Sequence, residues 1–212
     1  MNIKANIESI QNSIEKNIQL VAVSKTKPNE FILQAYESGQ RIFGENKVQE
    51  LVEKSATLPD DIQWHMIGHL QSNKVKYIAP FVSLIHAVDS KKLLKEINKR
   101  AKQNDRVIHC LLQIHIAQES NKFGLNQEEA MELLAMELTH VSIDGLMGMA
   151  TFTDDTLQIR KEFKYLKTVF DKARSNHQNL SILSMGMSGD YKIAIEEGSN
   201  MIRVGSSIFG SR

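Results

Sequence analysis

The chain has 212 residues, enough for one domain or at most two small ones. Its 26 Lys and Arg balance 25 Asp and Glu, so composition points to neither nucleic acid nor an acidic membrane surface as a partner. A lone cysteine, Cys110, rules out an intramolecular disulfide and suits a reducing cytosol. No apolar run approaches the roughly 18 residues of a membrane span, and the N-terminus lacks the apolar core and cleavage site of a signal peptide. The expectation is a soluble, cytoplasmic protein.

The first periodic segment, Ile3–Lys16, reads as an amphipathic helix, and from Gln19 onward strand-like runs alternate with helix-like runs. Gln19–Ser24 precedes a helix over Glu30–Ser38, and Arg41–Gly44 precedes Val48–Thr57. Gln63–Ile67 leads to Ser72–Ile78, Val82–Val88 to Ser90–Gln103, and Val107–Ile116 to Gln127–Leu138. Ser142–Met149 is followed by Leu157–Ser175 and Ser181–Met185 by Tyr191–Glu197. Met201–Gly205 is the last strand. In Ser90–Gln103 a narrow stripe of Leu93, Leu94 and Ile97 faces inward, and the surrounding lysines read as a solvated face.

Eight strands alternating with seven helices imply an α/β fold with a parallel sheet. A (β/α)₈ TIM barrel takes about 250 residues and rarely fewer than about 200. The expectation is therefore a single barrel domain over residues 1–212, with the N-terminal helix packed beneath it in the eighth helical position. The alternative is an open doubly wound sheet. It lacks its Gly-rich phosphate turn, because Ser24-Lys25-Thr26-Lys27 stands after the first strand.

Lys25 stands where the apolar run Leu20–Val23 stops, at the carboxyl end of a buried strand. A lysine there either snorkels to water or serves as an amine that condenses with a carbonyl. The second role requires a lowered pKa, since at about 10.4 only roughly four lysines in ten thousand are neutral at pH 7. Barrel active sites lie at the carboxyl ends of the strands. Those ends carry Lys25, Glu45-Asn46, Gly68-His69, Asp89-Ser90, His115, Met149 with Thr151, Ser188, and Gly205-Ser206-Ser207. The loops after strands seven and eight commonly bind phosphate in barrels. Gly205 lets the backbone approach an anion, and Ser188, Ser206 and Ser207 supply hydroxyls, although serine at such positions also serves as a helix cap. Arg203 lies inside the last strand and needs a partner. That partner is either a carboxylate such as Glu45 or the ring nitrogen of a ligand. His65 and His69 have zinc-ligand spacing, but the segment reads as strand then loop rather than helix, so no metal site is expected. His86, His109 and His115 read as core or rim histidines.

A phosphate cradle, a Schiff-base lysine and an arginine on one barrel face suggest pyridoxal 5′-phosphate (PLP). The segments Ala22–Pro28, Phe43–Glu50, Trp64–Lys74, Gly145–Met147, Met185–Asp190 and Arg203–Gly210 together resemble the pyridoxal-phosphate homeostasis protein family. Its fold is similar to the barrel domain of alanine racemase. The resemblance implies that Lys25 holds PLP as a Schiff base, with Arg203 at the ring nitrogen and Asn46 lining the ring pocket. Ser188, Gly205, Ser206 and Ser207 would surround the phosphate. Lys27 is the rival for the covalent link. Lys47 and Met66 depart from the family pattern, and both are expected near the pocket rim. The resemblance further implies a role in cytoplasmic PLP (vitamin B6) homeostasis and amino-acid metabolism, with no catalytic turnover. PLP-dependent apo-enzymes are the implied protein partners, and a monomer is expected. Two other readings of Lys25 stay open: the base of a PLP-dependent amino-acid racemase, and a cofactor-free aldolase lysine.

Overall fold

The computed structural model describes residues 2–119 and 123–210. Among them, eight strands form one closed parallel barrel: β1 Gln19–Val23, β2 Ile42–Glu45, β3 Gln63–Met66, β4 Leu84–Val88, β5 Ile108–Gln113, β6 Val141–Met147, β7 Ile182–Ser184 and β8 Met201–Val204. Each strand pairs with the next in sequence, and β8 returns to β1 with Val21 opposite Arg203. The open-sheet alternative is thereby excluded.

Side chains alternate across the barrel wall. Leu20 and Ala22 of β1 pack outward into the layer shared with the helices, whereas Val21 points into the lumen. There it meets Leu84, Ala87, Leu111, Met147 and Met201. A register shift between Ile85 and Val88 lets both Leu84 and Ala87 reach that inner cluster. The lumen is thus a packed core at its amino end, and the carboxyl ends of the strands are left to shape a cavity.

The helices are α1 Ile3–Asn12, α2 Asn29–Glu37, α3 Val48–Ser55, α4 Val75–Ile78 (entered through a 3-10 turn at Ser72–Lys74), α5 Lys91–Gln103, α6 Gln127–Leu134, α7 Thr156–Asn176, α8 Tyr191–Glu196 and α9 Ser206–Phe209. In α1 the residues Ile3, Ile7 and Ile10 recur at helical spacing and are buried, and the Asn2 side chain accepts from Ala5 N. This helix lies against α2 and α9, where Asn6 Nδ2 donates to Ile208 O at 2.9 Å, so it flanks the barrel rather than lying beneath it. The single turn of α9 follows β8 and is too short to fill the eighth helical position, which α1 shares with it. In α6, Asn126 and Glu129 form a reciprocal capping box, but the helix stops at Leu134. The amides of Ala135 and Met136 fold back onto Met131 O and Leu133 O, so the last turn tightens short of the expected Leu138. No described helix is long and apolar enough to cross a membrane.

Candidate functional site

Lys25 leaves β1 through an anchored kink. Thr26 has φ of +63°, a left-handed conformation uncommon for a residue with a Cβ. Both neighbours of Lys25 are tied to one buried ion cluster. Lys54 of α3 is 5% exposed, and its Nζ donates to Ser24 O at 2.8 Å, Glu45 Oε1 at 2.8 Å and Glu50 Oε1 at 2.6 Å. Ser24 Oγ donates to Glu45 Oε1 at 2.6 Å, and Thr26 N to Glu50 Oε1 at 2.6 Å. Burial pushes the Glu45 carboxyl above its ordinary pKa, against the pull of Lys54 and Ser24. Its Oε2 is buried without a hydrogen-bond partner.

Beside this kink opens a cavity of about 430 Å³ at the carboxyl ends of the strands. Lys25 and Asn46 line one part of its wall, together with Val23 and Ile67. Thr151 to Asp154 contribute the β6–α7 loop, and Met187 to Asp190 with Gly205 and Ser206 contribute the last two loops. Arg203 also lines it, although the residue is only 4% exposed.

Arg203 does not pair with Glu45, which points outward to Lys54. Its Nη1 donates to Ser184 O at 3.0 Å and to Ser184 Oγ at 2.6 Å, and its Nη2 donates to Gly148 O at 3.0 Å. Burial lowers its pKa to about 10, with Asp190 opposing the shift, so the guanidinium stays charged at neutral pH. Three of its five donors hold it to β7 and to Gly148 just after β6, and the rest remain for the cavity it lines.

Ser188 and Ser206 are not side-chain helix caps. Ser188 Oγ accepts from Gly205 N at 3.1 Å and from Ser207 N at 3.5 Å, which stitches the β7–α8 loop to the β8–α9 loop. Asp190 Oδ1 accepts from Met187 N. A Cβ on Gly205 would come within 3.2 Å of Val23 Cβ, so the bare backbone there keeps the loop close to the end of β1. Two backbone amides after β8 converge on one oxygen from the β7–α8 loop, with serine hydroxyls beside them, and this is the kind of donor cluster that suits a phosphate.

Six of the seven residues named from the sequence therefore line one cavity: Lys25, Asn46, Ser188, Arg203, Gly205 and Ser206. Ser207 stands just behind, with its amide on Ser188. Lys27 lines the same cavity, and its Nζ donates to Gly210 O at 3.0 Å. Met149 and Thr151 at the sixth strand end line it too, and the other polar strand ends lie outside it. His69 Nδ1 contacts Asp89 Oδ2 at 2.9 Å and its ring stacks on Phe123, while His115 Nε2 contacts Glu119 O. His65 points into the barrel, so it shares no site with His69. Met66 is fully buried in the layer between barrel and helices and Lys47 is an exposed residue preceding α3, and neither lines the cavity. The sequence reading missed Ser184 and Gly148, which anchor Arg203, and Lys54, which braces the Lys25 kink. A lysine in an otherwise ordinary helix and a serine inside a strand leave no distinguishing pattern.

The family described as "Alanine racemase, N-terminal domain" matches residues 1–212. The pyridoxal phosphate homeostasis protein of Aquifex aeolicus is 38% identical, with 97% of this chain and 95% of the relative covered. Its namesake from Schizosaccharomyces pombe is 39% identical over 95% of this chain and 87% of the relative. The chain belongs to the pyridoxal phosphate homeostasis protein family. Among solved structures, PipY of Synechococcus elongatus without PLP superposes with a TM-score of 0.93 at 35% identity, covering 98% of this chain and 100% of PipY. PipY with PLP bound gives 0.89 at 34% identity. Alanine racemase of Clostridium difficile gives 0.80 at 16% identity, with 57% of that chain covered, a likeness of fold alone. Membership in the homeostasis family therefore rests on whole-chain similarity, and the racemase likeness is confined to the barrel.

Proposed function

We propose that this protein binds PLP in the cavity at the carboxyl face of the barrel and takes part in PLP homeostasis inside the cell, holding the cofactor through Lys25 and supplying it to PLP-dependent enzymes. The observation that carries this reading is the convergence of Lys25, Arg203 and the stitched Ser188–Gly205 loops on one cavity. The curated relatives bear the homeostasis name, and PipY has been solved with PLP bound.

The residues present fit the cofactor. Lys25 supplies the amine for a Schiff base. The Ser188, Ser206 and Ser207 hydroxyls supply donors for the phosphate, beside the Gly205 and Ser207 amides gathered on Ser188 Oγ. Arg203 presents a donor-only cation to the ring nitrogen, and Asn46 supports the wall. Bound PLP brings an electrophilic aldehyde carbon and an electron-accepting ring. A permanently charged arginine keeps the ring nitrogen unprotonated and so weakens the ring as an electron sink.

The same wall favours binding over turnover. Racemisation needs two opposed acid–base groups around the substrate carbon. Among the described residues lining the cavity there is no His, Tyr or Cys. Of the titratable residues other than Lys25, Lys27 donates to Gly210, Asp190 accepts from Met187 N, Arg203 is held by Ser184 and Gly148, and Asp154 is an exposed residue of the β6–α7 loop. Titration of the purified protein with PLP, followed in the visible range, tests the reading. Wild type is expected to gain a protein-bound band that the Lys25→Ala variant lacks. An identical band in the variant would refute the assignment.

A further inference from the structure

The lumen is apolar at Val21, Leu84, Leu111, Met147 and Met201, but beneath the cavity it holds two imidazoles. His65 is 4% exposed and His86 is fully buried, with ring centroids 5.1 Å apart. His86 Nε2 lies 3.0 Å from His65 Nδ1. On its other side, His86 Nδ1 lies 3.4 Å from Ser184 Oγ, the longest link. Ser184 Oγ in turn meets Arg203 Nη1 at 2.6 Å.

The donor-only end residue sets one link of this chain, and the sense of the others is the one we assign. Arginine can only donate, so Ser184 Oγ accepts from Arg203, and its own hydrogen is assigned to His86 Nδ1. His86 then carries its proton on Nε2 and donates to His65 Nδ1, which leaves the His65 proton on Nε2 as well. Burial drives the His65 pKa down to about 3. Burial drives His86 well below its ordinary value too, with His65 and the Arg203 charge adding to the effect. Both rings are therefore neutral at neutral pH, as the one-way order requires. A chain oriented in this sense polarises the serine oxygen and makes it a better acceptor for the guanidinium. Filling the space with apolar side chains would avoid the cost of burying two imidazoles.

We propose that Ser184, His86 and His65 form a one-way hydrogen-bond relay that holds Arg203 in a single orientation, so that its free donors meet the cofactor's ring nitrogen. Ser184 and His86 are thus positioning residues, acting through Arg203. The proposal rests on the reading of this cavity as a PLP site.

The test has two arms. In the first, ¹⁵N-histidine-labelled protein is observed by NMR without cofactor and again after PLP is added. His65 and His86 are expected to be neutral Nε2–H tautomers, and the His86 Nδ1 resonance is expected to move on loading. In the second, PLP is titrated into His86→Leu, Ser184→Ala and His86→Asn. The Leu and Ala variants are expected to shift the absorbance maximum of bound PLP and to weaken binding about five- to tenfold. The Asn variant, whose side-chain oxygen replaces Nδ1 as acceptor, is expected to recover most of both. Should His86→Leu not fold, Ser184→Ala and the NMR arm carry the test. An Nδ1–H tautomer or a protonated ring at neutral pH overturns the relay. So does wild-type absorbance and affinity in the Leu and Ala variants while wild-type protein binds PLP, which leaves the assignment of the site intact. Failure of wild type to take up PLP overturns both.

Discussion

Replacing Lys54 with Met probes the brace behind Lys25. The ammonium holds two carboxylates and a carbonyl in a layer where Lys54 is 5% and Glu45 0% exposed. Without it, the Glu45 carboxylate, whose Oε2 already lacks a partner, is left buried beside Glu50 with only Ser24 to donate to it. Breaking one partner out of a buried pair costs about 3–5 kcal/mol. For a chain of this length that lowers Tm by about 6–20 °C. The sign of the pH dependence follows from Glu45. Burial raises its folded-state pKa above the unfolded value, and removing Lys54 removes a lowering influence. A carboxyl with a raised folded pKa contributes stability that is fully present below its unfolded pKa and is lost as pH rises through the folded one. The deficit of Lys54→Met is therefore largest at neutral pH and shrinks on acidification, and adding Glu45→Gln removes most of it. Thermal melts of the cofactor-free single and double variants across the acidic range are the assay. A Lys54→Met protein that melts with wild type at neutral pH, or whose deficit ignores both acid and Glu45→Gln, would refute this reasoning.

Three further outcomes are expected. Gly68→Ala places a Cβ within 2.3 Å of Asn46 O and 2.7 Å of Asn46 Cα; it should cost about 1–3 kcal/mol in a melt and weaken PLP binding by displacing Asn46. Ser188→Ala should lower affinity for PLP about five- to tenfold but leave pyridoxal, which has no phosphate, unaffected in parallel titrations. Equal losses for both ligands would count against the phosphate cradle. Arg203→Lys cannot span Ser184 and Gly148 together and still face the cavity. It should lower Tm by several degrees and weaken PLP binding at least about tenfold.

The strands were legible because each is a short apolar run ended by a polar or Gly residue, and a barrel wall is buried on both faces. Boundaries drifted where local hydrogen bonds outweighed periodicity, as at Ala135 after α6 and Ser13 after α1, whose amide and hydroxyl both return to Ile10 O. The eighth helical position of α1 was legible, but not that it would lie along the flank, because the single turn of α9 that leaves the gap carries no periodic signal. Lys25 and Arg203 stood out as charges at or within buried strands, a placement that demands partners. The identity of those partners depends on which residues the pleat turns inward. Glu45 and Asn46 are adjacent in sequence, yet one faces Lys54 behind the wall and the other lines the cavity. His86, buried in a strand run, gave no sign that its ring would reach Ser184 from the far side of the barrel.

The most direct test of the central claim is peptide mapping of PLP-loaded protein after borohydride reduction. One pyridoxyl adduct is expected, on the peptide containing Lys25 and assigned to that residue by fragmentation, with Lys25→Ala carrying none. An adduct on Lys27 or elsewhere, or no adduct on wild type, would contradict the account.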